Sequence, residues 1–355
     1  MKKFILLSLT FILTQAFLAF SASSAPASAD SAGANSTPRV QAERIGVYKC
    51  GRQPKQVVFS PDGEYIVMPL LEDDGFDIFS IKEKKIIKRI NPPNAKKVGF
   101  AEGIFVPSKK AFFVSQMTTA TVYEYTYPGF EYKRAIPTNA VWSKIIEWCP
   151  QKNMLAVSNW CSNDVSLINY DSGKVITKLR TGKAPRGLYF YDGGKKLLVL
   201  SYESGTLEAF DTESFARINK LEIPKASMRH AAPSADGKTV FISDMYYAKV
   251  YKFDLESFTI TAKFSTFHKP NTIALYKNRY LFISCRGPNN PVDYTRRSPE
   301  NGKIQIIDTK TMTLLKEIPG GNQPTGLALS PDGTMLCFSN FQDYNIELYK
   351  ISIDQ

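Results

Sequence analysis

The tetrapeptide SPDG stands at residues 60–63 and again at residues 330–333, with a near copy, SADG, at residues 234–237. A Pro-Asp-Gly turn between two apolar runs is common in β proteins, so one copy says little. Copies on a fixed period define an architecture. The two identical copies lie 270 residues apart, which is six periods of about 45, the length of a four-stranded propeller blade. Six periods between equivalent points imply seven blades.

The intermediate copies are degenerate but present. Strand-turn-strand units read GIFVPSKKAFFVS, KIIEWCPQKNMLAVS, GLYFYDGGKKLLVLS, HAAPSADGKTVFIS, TIALYKNRYLFIS and GLALSPDGTMLCFS. Each second strand ends in a serine, Ser115, Ser158, Ser201, Ser243, Ser284 and Ser339, at spacings of 43, 43, 42, 41 and 55. A third alternating strand follows, as in DVSLINY, GTLEAFD, KVYKFDL and KIQIID, and Asp171, Asp211, Asp254 and Asp308 stand where it turns into the fourth. Asp there bonds the turn backbone through its own side chain, which is a structural role. After residue 333 there is room for two more strands, MLCFS and NIELYKIS, so the last blade lacks its fourth. The segment RIGVYKC, residues 44–50, is expected to supply it, closing the ring and removing two open sheet edges. The expected fold is all-β: a seven-bladed propeller of four-stranded antiparallel blades over residues 44–355.

With 355 residues, 43% of them hydrophobic, the chain suits two ordinary domains or one large repeat fold. The basic Met1-Lys2-Lys3 start, the uncharged apolar run at residues 4–20 and the Ala27-Ser28-Ala29 site have the form of a cleaved export signal over residues 1–29. An uncleaved anchor is the alternative, because the run is near the lower limit for a spanning helix. Residues 30–43, rich in Ala, Ser, Gly and Pro, read as a flexible leader. The expectation is an exported monomer, periplasmic or associated with the cell envelope, with no stable transmembrane span after cleavage. Its formal charge of +12 falls only to +10 when Lys2 and Lys3 leave with the signal, which suits a polyanion or an anionic surface as partner. Cys50, Cys149, Cys161, Cys285 and Cys337 are odd in number and lack C-x-x-C spacing. They indicate neither a zinc site nor a full disulfide framework, and Cys149 and Cys161 are expected unpaired.

The stretch PTGLALSPDGTMLCFSN at residues 324–340, VSNWCSNDVSLINYDSGKVITKL at residues 157–179 and GKIQIIDTKTMTLLKEI at residues 302–318 resemble the YVTN-type propeller repeat of exported, YncE-like bacterial proteins. The resemblance covers nearly all of the chain after Glu43. It implies the fold and says little about activity, because this architecture serves unrelated functions.

In such a blade the first strand lines the central channel, the connections between blades share one rim, here the top, and the SPDG turns lie on the opposite rim. The residues opening the seven first strands are Lys55, Ala101, Lys144, Arg186, Arg229, Asn271 and Thr325. Four are cationic. Trp160, Tyr202, Tyr246, Tyr247 and Phe341 lie on the loops after the second strands, and an insertion at residues 286–301 brings Arg286, Arg296 and Arg297 to the same rim. Cations interleaved with aromatic rings suit single-stranded nucleic acid, by phosphate pairing and base stacking, or an anionic glycan. The alternative is structural, with rings packed between blades and cations solvating a pore mouth.

The expected function is a binding scaffold that uses Lys55, Lys144, Arg186, Arg229, His230, Asn271, Trp160, Tyr202, Tyr246, Arg286, Arg296 and Arg297 to hold a polyanion or an envelope protein. No catalytic residue, metal or cofactor is assigned. His230 and His268 are the only histidines, too few for a specific metal site. A lactonase-like hydrolase is one alternative function, and Glu102, Asp244, His230 and Arg229 are its candidates on the top rim. The other is a structural or cofactor-chaperone role beside a periplasmic redox system.

Overall fold

The computed structural model describes residues 38–354 apart from Tyr294. The segment read as an export signal, residues 1–29, and most of the segment read as a leader, residues 30–43, therefore lie outside the described residues. Residues 38–354 fold into seven four-stranded antiparallel sheets, each wound from the channel outward. The inner strands of blades 1 to 7 are Val58–Phe59, Phe100–Val106, Ser143–Cys149, Pro185–Tyr191, Met228–Pro233, Pro270–Tyr276 and Pro324–Leu329.

Burial runs across each blade. Second strands such as Met154–Asn159 are buried at every position, because neighbouring blades cover both faces, whereas fourth strands such as Arg217–Glu222 are largely exposed. Second strands therefore read as continuous apolar runs and fourth strands as polar ones. The core divides into seven apolar clusters, each between two adjacent blades. One of them joins Val57 and Phe59 of blade 1 to Cys337, Ile346 and Leu348 of blade 7 and closes the ring.

Ring closure is as expected in kind and longer in extent. The outer strand of blade 7 is Arg39–Lys49, paired with Asn345–Asp354 from Arg39 opposite Asp354 to Lys49 opposite Asn345. The strand thus begins five residues before the expected Arg44, inside the segment read as leader. The turn copies are the same bottom-rim device. Ser60 Oγ donates to Asp62 (2.6 Å), Asp62 accepts the Glu64 N–H (3.0 Å), and Gly63 takes φ +75°. Ser330, Asp332 and Gly333 repeat it, as do Ser234, Asp236 and Gly237. The first and last copies touch: a Cβ placed on Gly63 would lie 3.7 Å from Pro331 Cδ.

Asp211 and Asp254 hold the third-to-fourth turns by accepting the Ser214 and Ser257 N–H groups (2.7 and 2.8 Å). In blade 3 that task falls to Asn169, while Asp171 accepts from Asn153 Nδ2 (2.8 Å). All five cysteines are free thiols. No helix among the described residues is long and apolar enough to cross a membrane.

Candidate functional site

The top of each inner strand carries a break in its pairing, for example between Ser143 and Ile146, Pro270 and Ile273, or Pro324 and Leu327. Most of the periodic serines hold these bulges, Ser201 being buried without a hydrogen bond from its hydroxyl. Ser158, Ser243, Ser284 and Ser339 each accept a bulge N–H, from Ile145 (3.1 Å), His230 (3.2 Å), Thr272 (3.0 Å) and Gly326 (2.9 Å). A hydroxyl can also donate. Ser115, Ser243, Ser284 and Ser339 do so to the inner strand of the next blade, at the carbonyls of Lys144 (2.6 Å), Asn271 (2.7 Å), Thr325 (2.9 Å) and Pro54 (3.0 Å). The serines therefore set the inner strands at one level around the axis. That role was invisible in their spacing alone.

At this level Lys55 of blade 1, Lys144 of blade 3, Arg186 of blade 4 and Arg229 of blade 5 converge. Lys55 feels the charges of Arg229, Arg286, Arg186 and Lys144, so Arg286, the first residue of the blade 6 insertion, belongs to the same cluster. Glu102 of blade 2 reaches across the channel and pairs with Arg186 Nη2, both side chains being almost wholly buried. Nε and Nη1 of Arg186 are buried without a hydrogen-bond partner. Arg229, 7% exposed, donates its Nε–H to Asn271.

Rings seat the other cations. Lys144 Nζ lies 3.8 Å from the Trp160 ring centroid and 5.5 Å from that of Trp142, and Trp160 packs on Tyr202 at 5.0 Å. Phe341 is shared by Lys55 (5.0 Å) and Arg286 (5.4 Å), the latter also donating to Gln323. An aromatic face attracts a cation without cancelling its charge. Lys144, Arg186 and Arg229 thus share the field of one carboxylate among the described residues, Glu102.

The electrostatic cost shows in their proton affinities. Lys55 is held well below the ordinary amine range by enclosure in protein and then by the four facing cations. Enclosure and the Arg186 and Arg229 charges do the same to Lys144, with Glu102 opposing them. Arg229 is lowered by burial and by Arg186. All three shifts favour whatever brings negative charge to the mouth.

Several expected residues lie elsewhere. Arg297 pairs with Asp343 and donates to the Gln342 carbonyl (3.2 Å), so it ties the insertion to blade 7 instead of facing a ligand. Ser298 and Asn322 exchange hydrogen bonds at 2.9 and 3.0 Å in the same seam. Arg296 is exposed, 4.0 Å from Asp293 of its own loop. Tyr246 is exposed with its ring against Tyr247. Asp244 is fully buried and committed to the N–H groups of Ser227 (2.8 Å) and Tyr246 (2.9 Å) and to Tyr251 Oη (2.8 Å). Among the described residues no three His, Cys, Asp or Glu side chains are grouped so as to hold a metal ion.

Below the cluster lie two chambers of about 430 and 240 Å³ that share Gln56, Val58 and His230 as lining. His230 Nδ1 is buried without a partner, and burial pushes the imidazole down to about 4. His268 packs on Phe267 at 5.1 Å instead of meeting it. Glu147 lines the smaller chamber among Ile145, Ile146 and Leu188, where burial lifts its carboxyl to about 8. Sequence reading missed Glu147. Its signal was a lone acid among the apolar residues of an inner strand, KIIEWC.

No family model matches the chain. It is 34% identical over 317 residues to antigen Lp49 of Leptospira interrogans serogroup Icterohaemorrhagiae serovar copenhageni, an alignment covering 86% of this chain and 69% of that protein.

Proposed function

The chain belongs to the family of the Leptospira antigen Lp49, and from that premise we propose that it is an exported, surface-facing propeller that binds an anionic ligand at its top mouth. One observation carries the reading: the cations Lys55, Lys144, Arg186, Arg229 and Arg286 converge, Glu102 pairs with Arg186 among them, and Arg186 keeps buried N–H groups unmet. Leaving such donors buried and unpaired costs about 1–3 kcal/mol each, which a bound oxyanion offsets.

The relative's designation as an antigen, carried to this chain, agrees with export, as do the resemblance to the YVTN-type repeat and the basic, apolar residues 1–20. An acidic segment of an envelope protein would meet the same cluster. The lactonase-like and cofactor-chaperone readings gain no support from the site, since Glu102 and Asp244 are both engaged. The test is calorimetric titration with heparin and with pyrophosphate, each at low and high salt. Binding that weakens with salt and is lost in Arg229→Gln supports the reading, and binding that ignores both changes refutes it. Fractionation of the native host tests export: recovery in the cytoplasm alone contradicts it.

A further inference from the structure

We propose that the mouth is a well for a compact polyanion, a small molecule carrying two or more phosphate or carboxylate groups, and not a track for a polymer. The proposal rests on the anionic-ligand reading above and narrows it by geometry. Lys55, Lys144, Arg186 and Arg229 occupy one register position in four blades, so they ring the axis at a single depth. A polymer backbone needs cations strung out along a surface. Here Arg186 is 1% and Arg229 7% exposed, so a ligand reaches both only by entering the mouth.

The blade 6 insertion does not extend the positive ring. Arg297 is spent on Asp343 and Arg296 faces Asp293 of its own loop. Within the ring, Arg186 Nε and Nη1 still lack acceptors. Several acidic oxygens on one small body would meet donors arriving from several blades at once, which a single phosphodiester cannot do.

Binding of such a ligand takes up protons. Lys55 faces Arg229, Arg286, Arg186 and Lys144, and Lys144 faces Arg186, Arg229, Glu102 and Cys161. Both amines sit below the ordinary 10.5 when the mouth is empty of anions. A polyanion raises both toward that value, so affinity climbs as pH falls from 10.5 into the range where the amines of the free chain titrate.

The experiment is calorimetric titration of the full chain with pyrophosphate, with citrate and with single-stranded DNA of roughly 12 nucleotides lacking a terminal phosphate. It is run in buffers of different ionisation enthalpy so that proton uptake is counted. The expected result is one-site binding of pyrophosphate or citrate with proton uptake, weakened about tenfold or more in Arg229→Gln and in Lys55→Gln/Lys144→Gln. The DNA should not displace it. The double variant changes half-buried residues, so it separates loss of binding from loss of fold; an unshifted melting midpoint confirms this. If the DNA or heparin binds and the small anions do not compete, the well is refuted while the anionic-ligand reading stands. If none of these anions binds, both fall.

Discussion

Cations at the outer edge of the blades and cations at the channel mouth live under opposite rules. Outside, several fourth-strand or turn arginines cover buried carboxylates. Arg89 grips Asp77 at 2.6 and 3.1 Å, Arg134 and Lys133 meet Glu124 at 2.5 and 2.9 Å, Arg217 meets Glu208 at 2.7 Å and Arg279 meets Asp308 at 2.7 Å. At the mouth Arg186 has such a partner, while Lys55, Lys144 and Arg229 form no ion pair with a carboxylate among the described residues. A buried pair roughly breaks even against its desolvation, whereas an unpaired charge is a net cost. The propeller therefore spends its carboxylates on holding sheets together and leaves the mouth short of them, which is where a ligand can supply what the chain does not.

The contrast is most exposed by removing one arginine from each region. Arg89→Ala leaves Asp77 buried with the Gly51 N–H (2.7 Å) as its remaining strong donor, and should cost about 3 kcal/mol in denaturant unfolding. Arg229→Met should leave stability unchanged or raise it, because it removes a desolvated charge whose nearby carboxylate, Glu102, is already paired with Arg186. Equal losses in the two variants would erase the distinction. Next in size, pyrophosphate at about a hundred times its dissociation constant should stabilise the native chain by about 2.7 kcal/mol. The melting midpoint of Lys55→Gln/Lys144→Gln should stay put, and a similar rise there would place the anion elsewhere.

Glu147 supplies the mirror case, an acid with no cation. Its carboxyl is raised from 4.5 to about 8, so the stability it contributes is complete below 4.5 and is lost as pH rises through about 8. Glu147→Gln should flatten the decline in melting midpoint between those limits. Parallel curves for the two proteins would show that the acid already ionises freely. Smallest of all, Phe341→Leu takes the ring from Lys55 and Arg286 and should cost about 1 kcal/mol in denaturant unfolding. No loss would mean that rings are not what seats the mouth cations.

The blades were legible because turn, serine and alternation repeat with the period, and the inner-strand positions of Lys55, Lys144, Arg186 and Arg229 followed from that register. Their pairing was not. Glu102 and Arg186 lie 84 residues apart in neither sequence motif nor adjacent blade, so their meeting depends on the channel radius. Arg297 looked equivalent to Arg286 in sequence, yet Asp343 in the next blade claims it. The closing strand was cut short for a compositional reason. An outermost strand is exposed along much of its length, so RVQAE, residues 39–43, is as polar as a linker.

The pairing of Arg39–Lys49 with Asn345–Asp354 also sets a timetable. Residues made early must wait for partners made some 300 positions later, and contacts so distant in sequence form slowly. Until then the growing molecule is an open arc with an unpaired edge at blade 7. That edge is an invitation to self-association, so the seam that makes the finished ring durable is also the interval in which the unfinished one is most vulnerable.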